Sequence, residues 1–257
     1  MKVKRISIGI AAILCLAIAL GACGQFDPFR EAVQGSGGVI TREIALSDSL
    51  GGLTLRLGEI QFRGFADIRL VVDSSRSSGL TLETDGNIAH RVGIDYNPAR
   101  DEITVSAPRN LVFTPTVFIL TIGAPVKNLK IDGAWKISYD CPEVLDCKAE
   151  INGAANGEFA FGSLSSLDIA LNGACTLTLR GAAEEAALEL NGAAAISAYE
   201  LLAKSAAVTI NGTGNCRITA SDTLKAVVNG LGSITYDGEP VVSQSINGLG
   251  AVKKKAE

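Results

Sequence analysis

The stretches IALNGACTLTL (residues 169–179), LELNGAAAISA (residues 188–198) and VTINGTGNCRI (residues 208–218) are one pattern repeated. Apolar residues occupy every second position, an Asn-Gly pair interrupts them, and the alternation resumes three residues after the Asn. A period of two is that of a β-strand with one face buried. Reading outward in both directions finds the pair again, at Asn152-Gly153, Asn172-Gly173, Asn191-Gly192, Asn211-Gly212, Asn229-Gly230 and Asn247-Gly248, with Asp132-Gly133 as a variant. The spacings are 20, 20, 19, 20, 18 and 18 residues. The residue before the Asn or Asp is always branched and apolar: Ile131, Ile151, Leu171, Leu190, Ile210, Val228, Ile246.

Asn-Gly between alternating apolar residues is also the strongest short signal for a type I′ hairpin, which would give an antiparallel meander. A meander has no reason to keep one residue class at one offset through seven successive turns. A coil stacked on the next coil does, because each column becomes a ladder of like neighbours about 4.8 Å apart. The pattern therefore predicts an all-β chain, a parallel β-solenoid with coils of about 18–20 residues. In it, Asn152, Asn172, Asn191, Asn211, Asn229 and Asn247 form a structural corner ladder. Asn and Gly both accept the left-handed backbone region that a sharp corner needs, and stacked amides can pass hydrogen bonds from coil to coil.

Toward the N-terminus the regular repeat, residues 131–252, gives way to residues 39–130, where strands such as Leu80-Thr81-Leu82 alternate with turn signals at uneven spacing. These read as irregular coils of the same solenoid. Residues 23–38, broken by Pro28 and by Gly35-Ser36-Gly37-Gly38, read as a flexible tether, and residues 253–257 as a basic, solvated tail. Residues 1–22 begin with Lys2, Lys4 and Arg5 ahead of an uncharged apolar run, the pattern of an export signal. They end at Leu20-Gly21-Ala22-Cys23, which resembles the bacterial lipobox, so Cys23 is the expected lipid-attachment residue. Simple secretion and a retained membrane anchor fit the apolar run as well.

Removing residues 1–22 takes away three cations and changes the formal charge from −4 to −7, that is, 20 Lys and Arg against 27 Asp and Glu. Residues 131–251 hold 14 acidic and 6 basic residues. Nucleic acid, which demands clustered cations, is an unsuitable partner.

The chemistry-bearing residues are sparse. No nucleophile elbow, phosphate loop, metalloprotease motif or calcium nonapeptide occurs, so no catalytic residue, metal or cofactor is expected. Asp168, Glu189 and Lys225 fall on outward positions, where charge ordinarily serves solvation and edge protection. His90, the single histidine, stands beside a turn signal and has no partner set. Cys141 and Cys147 flank a short loop and could close a disulfide in an oxidising compartment, while Cys175 and Cys216 sit at different offsets and read as separate thiols.

With Gly133, Asn152-Gly153, Asn211-Gly-Thr-Gly214, Asn229-Gly-Leu-Gly232, Tyr236-Asp-Gly-Glu-Pro240 and the earlier Phe65-Ala-Asp-Ile68, the chain resembles the auto-transporter adhesin head domain, or GIN domain, from about Gly38 to Val252. It departs in using Asn-Gly-x-Ala or Asn-Gly-Ala-Cys where Gly-x-Gly is usual. The resemblance implies a right-handed parallel β-helix on an exported bacterial protein with no assigned biochemical activity. The expected function is that of a cell-envelope lipoprotein with a non-catalytic β-helical head, an adhesin or envelope scaffold. It would be held to the membrane through lipidated Cys23, in the outer membrane or on its periplasmic or surface side, with envelope glycans or surface proteins as partners. The alternative is a carbohydrate-processing β-helix enzyme, a polysaccharide lyase or hydrolase.

Overall fold

The computed structural model describes residues 33–34, 38–45, 53–60, 66–72, 79–106, 111–112, 118–122, 126–142 and 145–256. All of them fall within one compact unit, Val33–Glu257. The elements in chain order are β1 (Val33–Gln34), β2 (Val39–Ala45), β3 (Leu53–Ile60), β4 (Ala66–Val72), β5 (Gly79–Asp85), α1 (Gly86–Ala89), β6 (Gly93–Asn97), β7 (Glu102–Ser106), β8 (Leu111–Val112), β9 (Phe118–Ile122), β10 (Val126–Cys141), β11 (Asp146–Asp237), β12 (Val241–Gly248) and β13 (Ala251–Lys254).

β11 runs for 92 residues, which as a straight strand would exceed about 290 Å at 3.2–3.4 Å per residue. Instead it winds, and the fold is a parallel β-solenoid of about 6 turns. β10 pairs parallel with the start of β11 at an offset of 20, Ile131 on Ile151 and Tyr139 on Phe159. The end of β11 pairs parallel with β12 and β13 at an offset of 18, Asn229 on Asn247 and Ile234 on Val252. The register thus equals the spacing of the Asn-Gly pairs, and every coil lays its inward residues on the same column.

Those columns make the core. Ile131, Ile151, Leu171, Leu190, Ile210 and Val228 are all buried, as are Ile137, Leu177, Ile196, Cys216 and Ile234. Each branched side chain contributes about 1.5–3 kcal/mol on burial. The narrow interior admits few rings. Tyr139, Phe159 and Phe161 meet edge to face at centroid distances of 5.4, 5.7 and 6.3 Å, and the Tyr139 hydroxyl donates to the Val126 carbonyl at 2.8 Å.

The N-terminal part is wound out of chain order. β10 stacks on β3 and β4, which stack in turn on β7 and β9. β3 and β4 are therefore held between strands that follow them in sequence, β7 and β9 on one side and β10 on the other. Beyond it the pairing becomes antiparallel: β2 on β5, β5 on β9 and β6 on β7. Leu80, Leu82, Ile88 and Val92 are buried and cover this end of the core. Arg42 ties the cover down by donating from Nη1 to the carbonyls of Ala89 at 2.7 Å and Val92 at 3.0 Å. The segment read as irregular coils is thus part solenoid and part antiparallel cover.

Both flanking segments are more engaged than their composition suggests. Val33 and Gln34, inside the stretch read as a tether, form β1 against β8. Lys253 and Lys254, read as a solvated tail, belong to β13; Lys255 pairs with Asp237 at 2.8 Å and lies 4.9 Å from the centre of the Tyr199 ring.

Candidate functional site

The Asn corner is a continuous chain of amides. Asn152 Nδ2 donates to Asp132 Oδ1 at 2.7 Å, Asn172 to Asn152 at 2.8 Å, Asn191 to Asn172 at 2.8 Å, Asn211 to Asn191 at 2.9 Å, Asn229 to Asn211 at 2.8 Å and Asn247 to Asn229 at 2.9 Å. Every amide donates toward the N-terminal coil. Glu150 and Glu189 accept further bonds from this chain, and the Asn152 amide, with Lys130 beside it, holds the Glu150 carboxyl below its ordinary pKa. The left-handed backbone belongs to the glycines alone: among the described residues Asp101 is the one non-glycine with positive φ. Gly173, at φ +133°, shows why, since a Cβ there would lie 2.2 Å from the Gly153 carbonyl oxygen of the coil beneath. Asn supplies the ladder and Gly the turn.

Other residues singled out in the sequence are placed as follows. Cys23 and the apolar run before it lie outside the described residues, among which no helix is long and apolar enough to cross a membrane. Cys141 and Cys147 are free, buried thiols near Tyr139, and burial, with Cys141 adjoining, pushes the Cys147 thiol up to about 12. Cys175 and Cys216 are also free and buried, and burial raises Cys216 to about 12. His90 is exposed just after α1. Asp168 pairs with Lys148 at 3.0 Å, while Glu189 accepts from Asn191 at 3.1 Å. Asp168, Glu189 and Lys225 sit at different heights and do not converge.

Cross-coil pairs repeat this logic over the outer surface. Arg180 bridges Glu158 at 2.5 Å and Glu200 at 2.9 Å, and Lys204 pairs with Glu184 at 2.6 Å. These exposed pairs add little stability individually, and they leave the faces patterned with alternating charge. Among the described residues no group of three potential metal ligands converges.

The sequence reading misses a concavity at a second corner. Chain segments cross there at Gly162, Gly181, Leu201-Leu202, Ala220-Ser221 and Gly238, and a Cβ on Gly181 would come within 2.4 Å of the Phe161 carbonyl oxygen. The glycines let the coils approach closely at this corner. A groove of about 560 Å³ runs across these coils, floored by Leu164, Ala183 and Ala203, with Leu202, 62 % exposed, standing in it and the Glu184–Lys204 pair and Glu239 on its rim. Its signal in the sequence is a set of small residues about ten positions after Asn152 and Asn172, Gly162-Ser163 and Gly181-Ala182-Ala183, which hold no branched apolar residue to draw attention. Chemically the groove offers apolar contact and charged rims. Among its lining residues are hydroxyls but no histidine or thiol.

Three solved structures share the fold. One from Bacteroides fragilis, described as a "putative adhesin", has a TM-score of 0.70 at 22% identity, covering 87% of this chain and 100% of that one. A "putative adhesin" from Parabacteroides merdae has a TM-score of 0.57 at 23% identity, covering 88% and 100%. A "putative lipid binding protein" from Parabacteroides distasonis has a TM-score of 0.59 at 22% identity, again covering 88% and 100%. No curated protein matches the chain. Residues 59–240 match the profile of a family, a span that takes in β4 to β11, the amide ladder from Asp132 to Asn229 and the groove. The chain belongs to that family, described as "Putative auto-transporter adhesin, head GIN domain".

Proposed function

We propose that the chain is an exported bacterial envelope protein, anchored through lipidated Cys23, whose solenoid head is a non-catalytic adhesin for envelope glycans or surface proteins. The export pattern of residues 1–22 and membership of an adhesin head family support this reading. The observation that carries it is the state of the groove's carboxylates. Glu184 is held by Lys204 and Glu239 by Lys254, and among the described residues no further carboxylate lines the groove. Glycoside hydrolysis generally requires two carboxyl groups flanking one bond, one to deliver a proton and one to attack or activate water. A rim of ion-paired acids around an apolar floor favours holding a ligand over cleaving it.

The test uses the full chain on an array of envelope glycans and in capture from envelope extracts. Retention of an unaltered ligand, lost in Leu202→Glu, is expected; release of shortened glycans would contradict the non-catalytic reading. Anchoring is tested separately with an alkyne-tagged fatty acid. Cys23→Ser is expected to lose both the label and membrane sedimentation, and an unlabelled wild-type chain would overturn the anchor.

A further inference from the structure

The two ends of the solenoid are finished differently. The N-terminal end carries antiparallel strands, α1 and the Arg42 clamp. At the other end β12 and β13 each pair only with β11, so their outer edges carry no strand among the described residues. An open edge presents a row of backbone donors and acceptors, which natural proteins blunt with charge, proline or a bulge. Residues 241–252, VVSQSINGLGAV, contain no charge and no proline. They expose Val241 (77 %), Leu249 (86 %) and Ile246 (40 %), the last on a column buried in every lower coil. The amide ladder also stops here: Asn247 donates to Asn229, and among the described residues no donor reaches its Oδ1.

We infer that this end is a homodimer interface, in which the C-terminal coils of two copies meet about a two-fold axis beside Asn247. Three observations select a second copy as the occupant. A primary amide is at once donor and acceptor and therefore pairs with its own image, the property by which a single buried Asn fixes register between identical helices. An axis through the Asn247 corner sets β12 of one copy antiparallel to β13 of the other, which satisfies both open edges. With the axis at Asn247, Lys253 and Lys254 of one copy lie opposite the uncharged Val241 and Pro240 of the other, so the lysine clusters of the two copies are kept apart. The rest of the surface, on a mature chain of formal charge −7, is self-repelling, and the uncharged residues 241–252 are where two such chains can approach.

The full chain in mild detergent should sediment with twice the protein mass of one copy. Asn247→Cys should give a reducible dimer under mild oxidation, whereas Ala187→Cys, exposed on a face in mid-stack, should not; the native thiols described are buried and do not interfere. Ile246→Lys combined with Leu249→Lys should halve the mass while leaving the thermal transition in place, because both side chains are exposed. A monomeric wild type, a dimer that survives the double substitution, equal cross-linking at Ala187→Cys, or open-ended oligomers would each overturn the proposal.

Discussion

At the scale of single residues, the Asn-Gly pair divides its work. Glycine takes the positive φ and allows the carbonyl of the coil beneath to approach, while asparagine stays in the ordinary backbone region and spends its side chain on its neighbours above and below. An interior ladder residue therefore makes two amide links and the last one makes a single link. In the Ile246→Lys/Leu249→Lys background that separates the copies, Asn191→Ala is expected to lower unfolding free energy by about 1–3 kcal/mol and Asn247→Ala by less than about 1 kcal/mol, because each lost link leaves a polar group short of a partner. Urea denaturation of the two variants checks the order; equal midpoints would sever the link between ladder position and stability. The sequence marks these asparagines by period alone, but it does not distinguish which member of the pair bears the turn, since both residue types tolerate it.

The buried thiols give a pH dependence whose sign follows from their burial. Cys147 and Cys216 are raised from an ordinary 9.0 to about 12, so the neutral form is favoured in the folded state. Their contribution is complete below pH 9.0 and is lost as pH rises from 9.0 toward about 12, where the unfolded chain releases protons that the folded chain retains. The urea midpoint should hold steady up to pH 9 and fall above it, and Cys216→Ala should make that fall shallower. A midpoint that rises through this range would contradict the assignment.

At the scale of elements, the regular and irregular parts differ in what specifies their neighbours. In β11 each coil carries its own registration mark, so the stacking partner of every segment is legible from spacing. β5 and β6 carry the same alternation, with Leu80 and Leu82 buried, yet alternation is identical for a parallel and an antiparallel neighbour. Nothing local distinguishes them. Nor does any local pattern say that β3 and β4 lie between β7 and β9 on one side and β10 on the other, because that order is decided by which long-range pairings bury the open end. The groove was illegible for a related reason: its floor of Leu164, Ala183 and Ala203 is drawn from separate coils that only the stacking brings together.

The antiparallel cover should behave as a separate stability unit, since each coil touches only its neighbours. Arg42→Ala removes both bonds to the Ala89 and Val92 carbonyls, at an expected cost of about 1.5–3 kcal/mol for charged hydrogen bonds. Hydrogen exchange should quicken over residues 79–97 and stay unchanged over residues 165–235. Uniform acceleration along the chain would show that the cover is not an independent unit.

At the scale of the whole molecule, the structure is a one-dimensional stack in which position along the axis is set by coil count. The faces, the groove and the uncharged end all inherit their spacing from it. The outward side chains of each coil stand on a backbone whose register is fixed by the buried columns. The most direct test of the stack is a distance between spin labels at Lys148 and Lys225, exposed residues four coils apart on one outward column. Parallel stacking places their backbones about 19 Å apart, four steps of about 4.8 Å. A meander spends two strands on each repeat, and a separation near 38 Å would contradict the solenoid.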